Sequence, residues 1–217
     1  MENNIWLQMK DYFNNNMDSF LIAIKEHLEI SLIALMIAII IGIPCGYVCV
    51  KFKRLEKQIV SLFQVLRVIP SLAVLLLLIP VMGTGVKSAI IALVLLAMPP
   101  VLMNTVVGLK EVPDFMVESA YGIGMTEKQV LWKVQFPLAM PLIFTGIKTA
   151  MIEIIASATL AAKIGAGGLG GIIFTGLGLN RTDLLLIGGI TVGLLTIATS
   201  LLLELINRTM MKYKYVR

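Results

Sequence analysis

Five runs of about twenty mostly apolar residues most constrain what this chain can fold into. They cover about residues 30–50, 58–81, 88–109, 141–162 and 184–206. An α-helix needs about this length to cross the hydrocarbon core of a bilayer, so each run predicts a transmembrane helix. Because 58% of the 217 residues are hydrophobic and 14% are charged, a soluble domain of this length would lack polar surface. The sequence therefore predicts an all-α membrane protein with five spans.

Small and rigid residues inside the runs predict local features of the spans. Gly42 and Gly46 form a GxxxG pattern, which permits a second helix to approach closely. Cys45 and Cys49 lie in the same run, where we expect them to pack as small apolar side chains. Prolines lack a backbone N–H, so we expect kinks at Pro44, Pro70, Pro99 and Pro100, which fall inside the predicted spans.

The basic residues outside the runs predict the orientation of the chain. Eleven of them fall on one side: Lys51, Lys53, Arg54, Lys57, Lys110, Lys128, Lys133, Arg208, Lys212, Lys214 and Arg217. Five fall on the other side: Lys10, Lys25, Lys87, Lys163 and Arg181. Positively charged loops favour the cytoplasm, which places the N-terminus outside and the C-terminus inside. Because these charges flank apolar runs instead of forming one patch, they favour membrane orientation over nucleic-acid binding.

The first 27 residues place Trp6, Leu7, Met9 and Phe13 among polar neighbours. This pattern predicts an amphipathic helix at the outer membrane surface, with residues 28–217 forming the transmembrane domain. The segment lacks the basic start and apolar run of a secretory signal, so we expect no cleaved peptide. The single histidine, His27, excludes two-histidine metal motifs and is expected to be solvated.

The stretch between the third and fourth runs, residues 111–137, interrupts the apolar sequence on the predicted cytoplasmic side. Pro113 and Asp114 predict the start of a short helix. Gly122 and Gly124 allow that helix to end in a sharp turn. A first short helix is therefore expected before Gly124.

A second short helix is expected directly after that turn. Thr126 followed by Gln129 matches a capping box, which marks a helix start. Pro137 is expected to end this helix. The residues alone fit two interpretations, an amphipathic loop on the membrane surface and a docking surface for a cytoplasmic partner.

The same segment resembles the EAA loop of permease subunits of ABC importers. That loop has the pattern EAA, three residues, Gly, nine residues, Ile, one residue, Leu-Pro. The corresponding positions here are Glu118-Ser119-Ala120, Gly124, Val134 and Phe136-Pro137. The spacing is complete, and the departures at Ser119, Val134 and Phe136 are conservative. The resemblance favours the docking interpretation.

A wider resemblance covers about residues 20–206. The stretches VIPSLAVLLLLIPVMGTG, GIGMTEKQ, FPLAMPLIFTGIKTA, ATLAAKIGAGGLGG and GLGLNRTD are similar to the osmoprotectant branch of these permeases. That branch imports glycine betaine, carnitine, choline and related trimethylammonium compounds. The resemblance implies the type I ABC importer permease fold, with five spans, an outside N-terminus and the EAA loop in the cytoplasm.

The resemblance also implies partners for a subunit that is not itself an enzyme. Two copies of a cytoplasmic ATPase would bind ATP, so no cofactor or metal is expected in this chain. A second permease, identical or homologous, would complete the pathway, and an extracellular binding protein or lipoprotein would deliver the solute. The location implied is the plasma membrane of a bacterium or archaeon. The residues implied to contact the ATPase are Glu118, Ser119, Ala120, Gly124, Met125, Thr126 and Pro137.

A glycine-rich sequence, GAGGLG at residues 165–170, follows the fourth run. It matches GxGxxG, yet it follows a membrane helix and not a strand, which makes it a poor dinucleotide site. We expect a tightly folded, partly re-entrant segment that helps to gate the pathway, with a flexible surface loop as the alternative. The gate and pathway candidates are Pro70, Ser71, Gly165, Gly167, Gly168, Gly170 and Glu153.

Two ionisable residues, Arg67 and Glu153, fall deep inside the predicted spans. On straight helices they lie roughly 13 and 18 Å from the inner ends, at ~1.5 Å per residue. They are therefore candidates for a buried ion pair, although Glu153 also suits a pathway residue that attracts a cation. Aromatic residues are too few inside the spans for a quaternary-ammonium cage, so the high-affinity site is expected on a separate binding protein.

Other functions fit the sequence less well. The same architecture with another cargo, such as an amino acid or an ergothioneine-like betaine, is the main alternative. An ion channel would need a selectivity filter or a ring of charge. An intramembrane enzyme would need paired acid and base groups or metal ligands, for which Arg67 and Glu153 alone are a thin basis.

Overall fold

A computed structural model describes residues 4–210 of the chain. Within this range the chain is helical and contains no β-strand. The helices are α1 (Ile5–Lys51), α2 (Lys53–Leu66), α3 (Ser71–Met82), α4 (Val86–Lys110), α5 (Asp114–Gly122), α6 (Glu127–Val130), α7 (Phe136–Ala161), α8 (Leu169–Gly178) and α9 (Thr182–Met210). Lys212, Lys214 and Arg217, which are predicted to face the cytoplasm, lie outside the described residues.

Four helices of the described chain are long and apolar enough to cross a membrane. They are α1, α4, the helix Glu127–Ile164 and α9, and they contain the first, third, fourth and fifth predicted spans. The bent pair α2 and α3 brings the total to five if it counts as one span. The predicted all-α architecture is confirmed.

Helix α4 is the centre of the bundle, and glycines let α1 approach it closely. A Cβ atom on Gly46 would lie 2.7 Å from the Cβ of Thr105, and one on Gly42 would lie 2.9 Å from Cγ1 of Val101. Both glycines are buried. The close approach predicted from the GxxxG pattern is therefore confirmed.

Glycines also bring α7 against a second face of α4. A Cβ on Gly146 of α7 would lie 2.6 Å from the carbonyl oxygen of Pro100. Nearer the other end of the contact, a Cβ on Gly108 would lie 2.9 Å from the carbonyl oxygen of Ala139. Because residue numbers rise in one helix as they fall in the other, α4 and α7 run antiparallel.

The second span is not the continuous helix 58–81 that the sequence predicts. Helices α2 and α3 meet at an angle of 99° across residues 67–70. Pro70 caps α3 in an extended conformation with ψ 136°. Proline has no N–H to continue a helix and disfavours helical geometry in the residue before it. The predicted kink at this proline is thus a complete break.

The predicted boundary between an N-terminal segment and the transmembrane domain, at residue 27, does not coincide with a helix end. Helix α1 runs through it, and its one residue with non-helical backbone angles is Asn16 (φ −132°, ψ 21°). Tyr12, Phe13 and Phe20 pack edge to face on the two sides of that distortion. The amphipathic segment is therefore a continuation of the first span.

We predict that Gly46→Val destabilises the protein and that Gly193→Val does not. The added side chain at position 46 must displace Thr105, whereas a Cβ on Gly193 of α9 meets nothing within 4 Å. Overpacking of this kind costs about 1–3 kcal/mol. Thermal unfolding in detergent would measure the difference. Equal unfolding temperatures for the two variants would contradict the packing described.

Candidate functional site

The first helix of the segment 111–137 begins and ends where the sequence predicts. Pro113 precedes α5 in an extended conformation, and Asp114 is the first helical residue. At the other end, Gly124 N–H donates to the Tyr121 carbonyl (2.9 Å) and Met125 N–H donates to the Ala120 carbonyl (3.1 Å). This pair of bonds is a Schellman motif, whose penultimate residue must be left-handed. Gly124 has φ +83°, which explains the glycine at this position of the EAA pattern.

The second helix also begins as predicted. The Thr126 backbone N–H donates to Oε1 of Gln129 (2.9 Å), and the Gln129 N–H donates to Oγ1 of Thr126 (3.4 Å). These reciprocal bonds form the predicted capping box. Helix α6 therefore starts directly after the glycine turn.

The prediction that Pro137 ends this second helix is wrong. Helix α6 continues through a π-helical turn at Leu131–Gln135 into α7, so that one helix runs from Glu127 to Ile164. In the π turn the N–H of Phe136 reaches the carbonyl of Leu131. Pro137 then occupies the first turn of α7. A proline is tolerated there because the π turn directly before it already interrupts the regular i→i−4 hydrogen bonds of the helix.

The segment presents apolar side chains on its outer surface. The largest exposed fractions belong to Ile123 (76%), Phe115 (64%) and Trp132 (64%), and Trp132 stacks on Phe136 at 5.0 Å between ring centroids. Glu118 and Ser119 are exposed beside them, while Ala120 is buried. The first two residues of the EAA pattern therefore face outward, and the third holds α5 to the rest of the segment.

Two ion pairs attach this segment and the end of α4 to the connection between α1 and α2. Lys51 lies 2.8 Å from Glu127, and Lys110 pairs with Glu56. Exposed pairs contribute little stability each. They do show that the loops with the predicted excess of basic residues meet at one end of the bundle.

The glycine-rich residues 165–170 form a tight turn at the opposite end. Gly165 N–H donates to the Ala162 carbonyl (3.1 Å) and Ala166 N–H donates to the Ala161 carbonyl (3.2 Å), which is again a Schellman motif. Gly165, Gly167 and Gly168 all have φ between 76° and 81°. Gly170 then lies directly against the Thr159 carbonyl.

Two neighbouring residues of α1, Glu26 and His27, hold this turn. Oε2 of Glu26 accepts the Gly168 N–H at 2.9 Å. Nε2 of His27 lies 3.1 Å from the carbonyl oxygen of Ile155, so this nitrogen carries the hydrogen. His27 is 1% exposed, and the prediction that it is solvated is wrong because α7 and the glycine turn cover it. Sequence reasoning missed both contacts, because Ile155 lies 128 residues from His27 and Gly168 lies 142 residues from Glu26.

The predicted pathway residues lie in three separate places, one of which is the glycine turn at residues 165–170. Pro70 and Ser71 lie at the break between α2 and α3. Glu153 is half-buried on α7. It precedes Gly165 by twelve residues, or ~18 Å of helix, so it does not join the glycine turn.

The predicted buried ion pair is not formed in the subunit. Arg67 is exposed at the end of α2, and no salt bridge within 4.0 Å joins it to Glu153. The prediction assumed two straight helices, and the break after Arg67 removes that geometry.

A different intramembrane ion pair, which sequence reasoning missed, joins α7 to α9. Lys148 lies 3.1 Å from Glu204, and Glu204 also contacts Arg208 at 3.2 Å. The sequence signals were charges inside apolar runs, Lys148 in the fourth run and Glu204 in the fifth. Among residues 4–210, no group of three or more His, Cys, Asp and Glu side chains is placed to hold a metal ion.

Comparisons with known proteins agree with this architecture. The carnitine transport permease protein OpuCB of Listeria monocytogenes is 39% identical and covers 86% of this chain and 85% of the relative. The glycine betaine/carnitine/choline transport system permease protein OpuCB of Bacillus subtilis is 38% identical and covers 93% of both chains. The choline transport system permease protein OpuBB of Bacillus subtilis is 36% identical and covers 91% of both.

Solved structures show the same fold. The MetNI methionine ABC transporter matches with a TM-score of 0.80 at 22% identity, covering 90% of this chain and 98% of the matched chain. An amino acid ABC transporter matches with a TM-score of 0.78 at 20% identity, covering 96% and 100%. The model of the family described as binding-protein-dependent transport system inner membrane component matches residues 34–212. Membership implies an ATPase, a second permease and a binding protein as partners. The chain belongs to this family of multi-pass membrane permease subunits of ABC importers.

Proposed function

We propose that this chain is the permease of an ATP-driven importer for quaternary-ammonium compatible solutes of the glycine betaine, carnitine and choline type. The observation that carries the proposal is the similarity, over 86–93% of the chain, to relatives named for transport of these solutes. An amino acid or an ergothioneine-like betaine is the alternative cargo. The likeness to solved amino-acid and methionine transporters concerns the fold and carries no argument about the solute.

The complete transporter contains two permeases and two ATPases. Five spans are too few to surround a pathway, so the pathway lies between this chain and a second permease, identical or homologous, along a two-fold axis. ATP binds to the ATPase subunits, and this chain itself needs no cofactor. A binding protein or lipoprotein on the outside delivers the solute.

The exposed surface of α5 and α6 docks to the ATPase. Support comes from the contrast between the buried Ala120 and the exposed Glu118 and Ser119, beside large exposed apolar side chains such as Ile123 and Phe115. Such a surface fits a groove on a partner protein. Within the docking segment, Gly124, Met125, Thr126 and Pro137 set the turn and the path into α7.

The gate is formed by the break between α2 and α3 and by the glycine turn that follows α7. Pro70 and Ser71 lie where the second span is broken, and Gly165, Gly167, Gly168 and Gly170 form the turn after α7. Non-helical backbone at membrane depth is tolerated only where it is buried in protein or lines a water-filled cavity. Closure of the ATPases then moves these elements between inward- and outward-facing states.

The end of the bundle that carries α5 and α6 faces the cytoplasm, and the N-terminus lies outside. The support is the distribution of basic residues, because the loops that meet through the Lys51–Glu127 and Lys110–Glu56 pairs hold seven of those outside the predicted spans, against five on the other side.

The function and the docking surface are tested together in vesicles that contain the whole complex with its binding protein. We expect ATP-dependent uptake of labelled glycine betaine, which unlabelled carnitine or choline reduces. Gly124→Val should abolish uptake and co-purification with the ATPase, because a β-branched residue at φ +83° is strained by about 1–2 kcal/mol. The matched control is Gly122→Val, a helical position where a Cβ meets nothing within 4 Å.

Two outcomes would contradict different parts of this proposal. Vesicles of the native complex that take up none of the three solutes would refute the solute class. Normal uptake by the Gly124→Val complex would refute the docking assignment and leave the solute class standing.

The orientation is tested by labelling single cysteines in a Cys45→Ala, Cys49→Ala background. Asn4→Cys should react with an impermeant thiol reagent in intact cells, and Lys128→Cys should react only after permeabilisation. Both positions are exposed, so accessibility within the protein does not limit either reaction. Reversed labelling would overturn the orientation and the cytoplasmic role of α5 and α6.

A further inference from the structure

A cavity of about 260 Å³ lies beside the glycine turn, at the end of the bundle opposite α5 and α6. The residues that line it come from three helices and the turn, and they include Tyr12 and Glu26 of α1, Gly167 and Gly168 of the turn, Ile172 of α8 and Leu184 of α9. Drug-sized ligands occupy cavities of about 300–1,000 Å³. The size of this cavity therefore suits a smaller solute.

The Glu26 carboxylate is seated on the glycine turn. Its Oε2 accepts the Gly168 N–H at 2.9 Å. A Cβ on Gly167 would lie 2.5 Å from the same oxygen, so the glycine leaves the room that the carboxylate occupies. The other oxygen, Oε1, accepts no hydrogen bond from residues 4–210. The carboxylate is thus held in place, and it can bind a ligand without further ordering of the side chain.

No basic side chain of the described chain neutralises Glu26. The neighbouring Lys25 pairs with Glu29 at 3.6 Å, and Arg181, just before α9, pairs with Asp183. Neither base lies within 4.0 Å of the Glu26 carboxylate. Among the described residues that line the cavity, Glu26 alone is charged, so the cavity attracts a cation.

The rest of the cavity wall favours an organic cation over a metal ion. Among residues 4–210, no group of three or more His, Cys, Asp and Glu side chains is placed to hold a metal. Ile172 and Leu184 instead provide apolar surface, and Tyr12 provides an aromatic ring. The methyl groups of a quaternary ammonium ion pack on apolar surface, and an aromatic ring attracts its charge. One ring does not form a cage, so the site binds such a cation weakly.

We propose that Glu26 and Tyr12 form an entry site for a quaternary ammonium group at this end of the permease. This inference rests on the proposed function and deepens it, because the site receives the trimethylammonium group of the solute before the solute enters the pathway. The site favours choline over glycine betaine, since glycine betaine carries a carboxylate that Glu26 repels.

The test measures saturation-transfer NMR from the permease–ATPase complex to the methyl protons of choline, without the binding protein. The complex is held in nanodiscs of phosphatidylethanolamine and phosphatidylglycerol, because phosphatidylcholine carries the same methyl groups. Nanodiscs without the complex give the blank. Glu26→Gln should weaken choline binding about five-fold, the scale of one charge–charge contact at ~4 Å in water. An amide oxygen at position 26 still accepts the Gly168 N–H, so the unfolding temperature should not change.

Two sets of variants control this measurement. Glu29→Gln removes an exposed carboxylate three residues along α1 that does not line the cavity, and it should leave choline binding unchanged. Tyr12→Ala should weaken choline binding without touching the glycine turn, whereas Tyr12→Phe keeps the ring and should not. The Tyr12 pair keeps the proposal testable if Glu26→Gln prevents assembly.

The outcomes separate the entry site from the proposed function. Unchanged choline binding by Glu26→Gln, or equal weakening by Glu29→Gln, would overturn the entry site. So would a native complex that takes up glycine betaine with its binding protein but shows no saturation transfer to choline, and that result would leave the proposed function intact. Choline binding that depends on Glu26, in a complex that takes up none of the three solutes, would support the cation site and refute the proposed function.

Discussion

The close backbone contact of α4 with α1 and α7 is the interaction on which the rest of the structure depends. Lipid tails are as apolar as leucine side chains, so helices in a bilayer gain little from burying apolar surface against each other. Association relies instead on close van der Waals contact. Gly42 and Gly46 provide it between α1 and α4, and Gly108 and Gly146 provide it between α4 and α7. These contacts fix the depth of every residue on α7, including Glu153.

The same backbone device closes a helix at each end of the bundle. A Schellman turn centred on Gly124 separates α5 from α6, and another centred on Gly165 ends the long helix that contains α7. Both turns need a residue in the left-handed backbone conformation, which glycine adopts without steric cost. The surroundings differ: nothing lies near a Cβ on Gly124, while the turn that follows Gly165 is held against α1 by Glu26. The first turn is open in the subunit, and the second is held in the bundle.

Features set by near neighbours in sequence were predictable, and features set by distant contacts were not. The capping box at Thr126 and the turn at Gly124 depend on residues within five positions, and the sequence predicts both. The burial of His27 depends on Ile155, which no local pattern reveals. For the candidate site, Arg67 and Glu153 were recognisable as charges in apolar runs. That the two residues do not form an ion pair could not be predicted, because the 99° bend before Pro70 turns α2 away from the straight helix assumed for the span.

The continuous helix from Glu127 to Ile164 has a mechanical consequence. Its 38 residues extend from the capping box at one end of the bundle to the Schellman turn at the other, with no loop between them. At ~1.5 Å per residue this rod is roughly 57 Å long. A displacement or rotation of its first turn is therefore passed along the helix to the Schellman turn at Gly165. The π-helical turn at Leu131–Gln135 departs from regular α-helical hydrogen bonding and is a place where the helix can bend. A movement imposed at the end with α5 and α6 would therefore be transmitted to the glycine turn at the other end by one continuous helix.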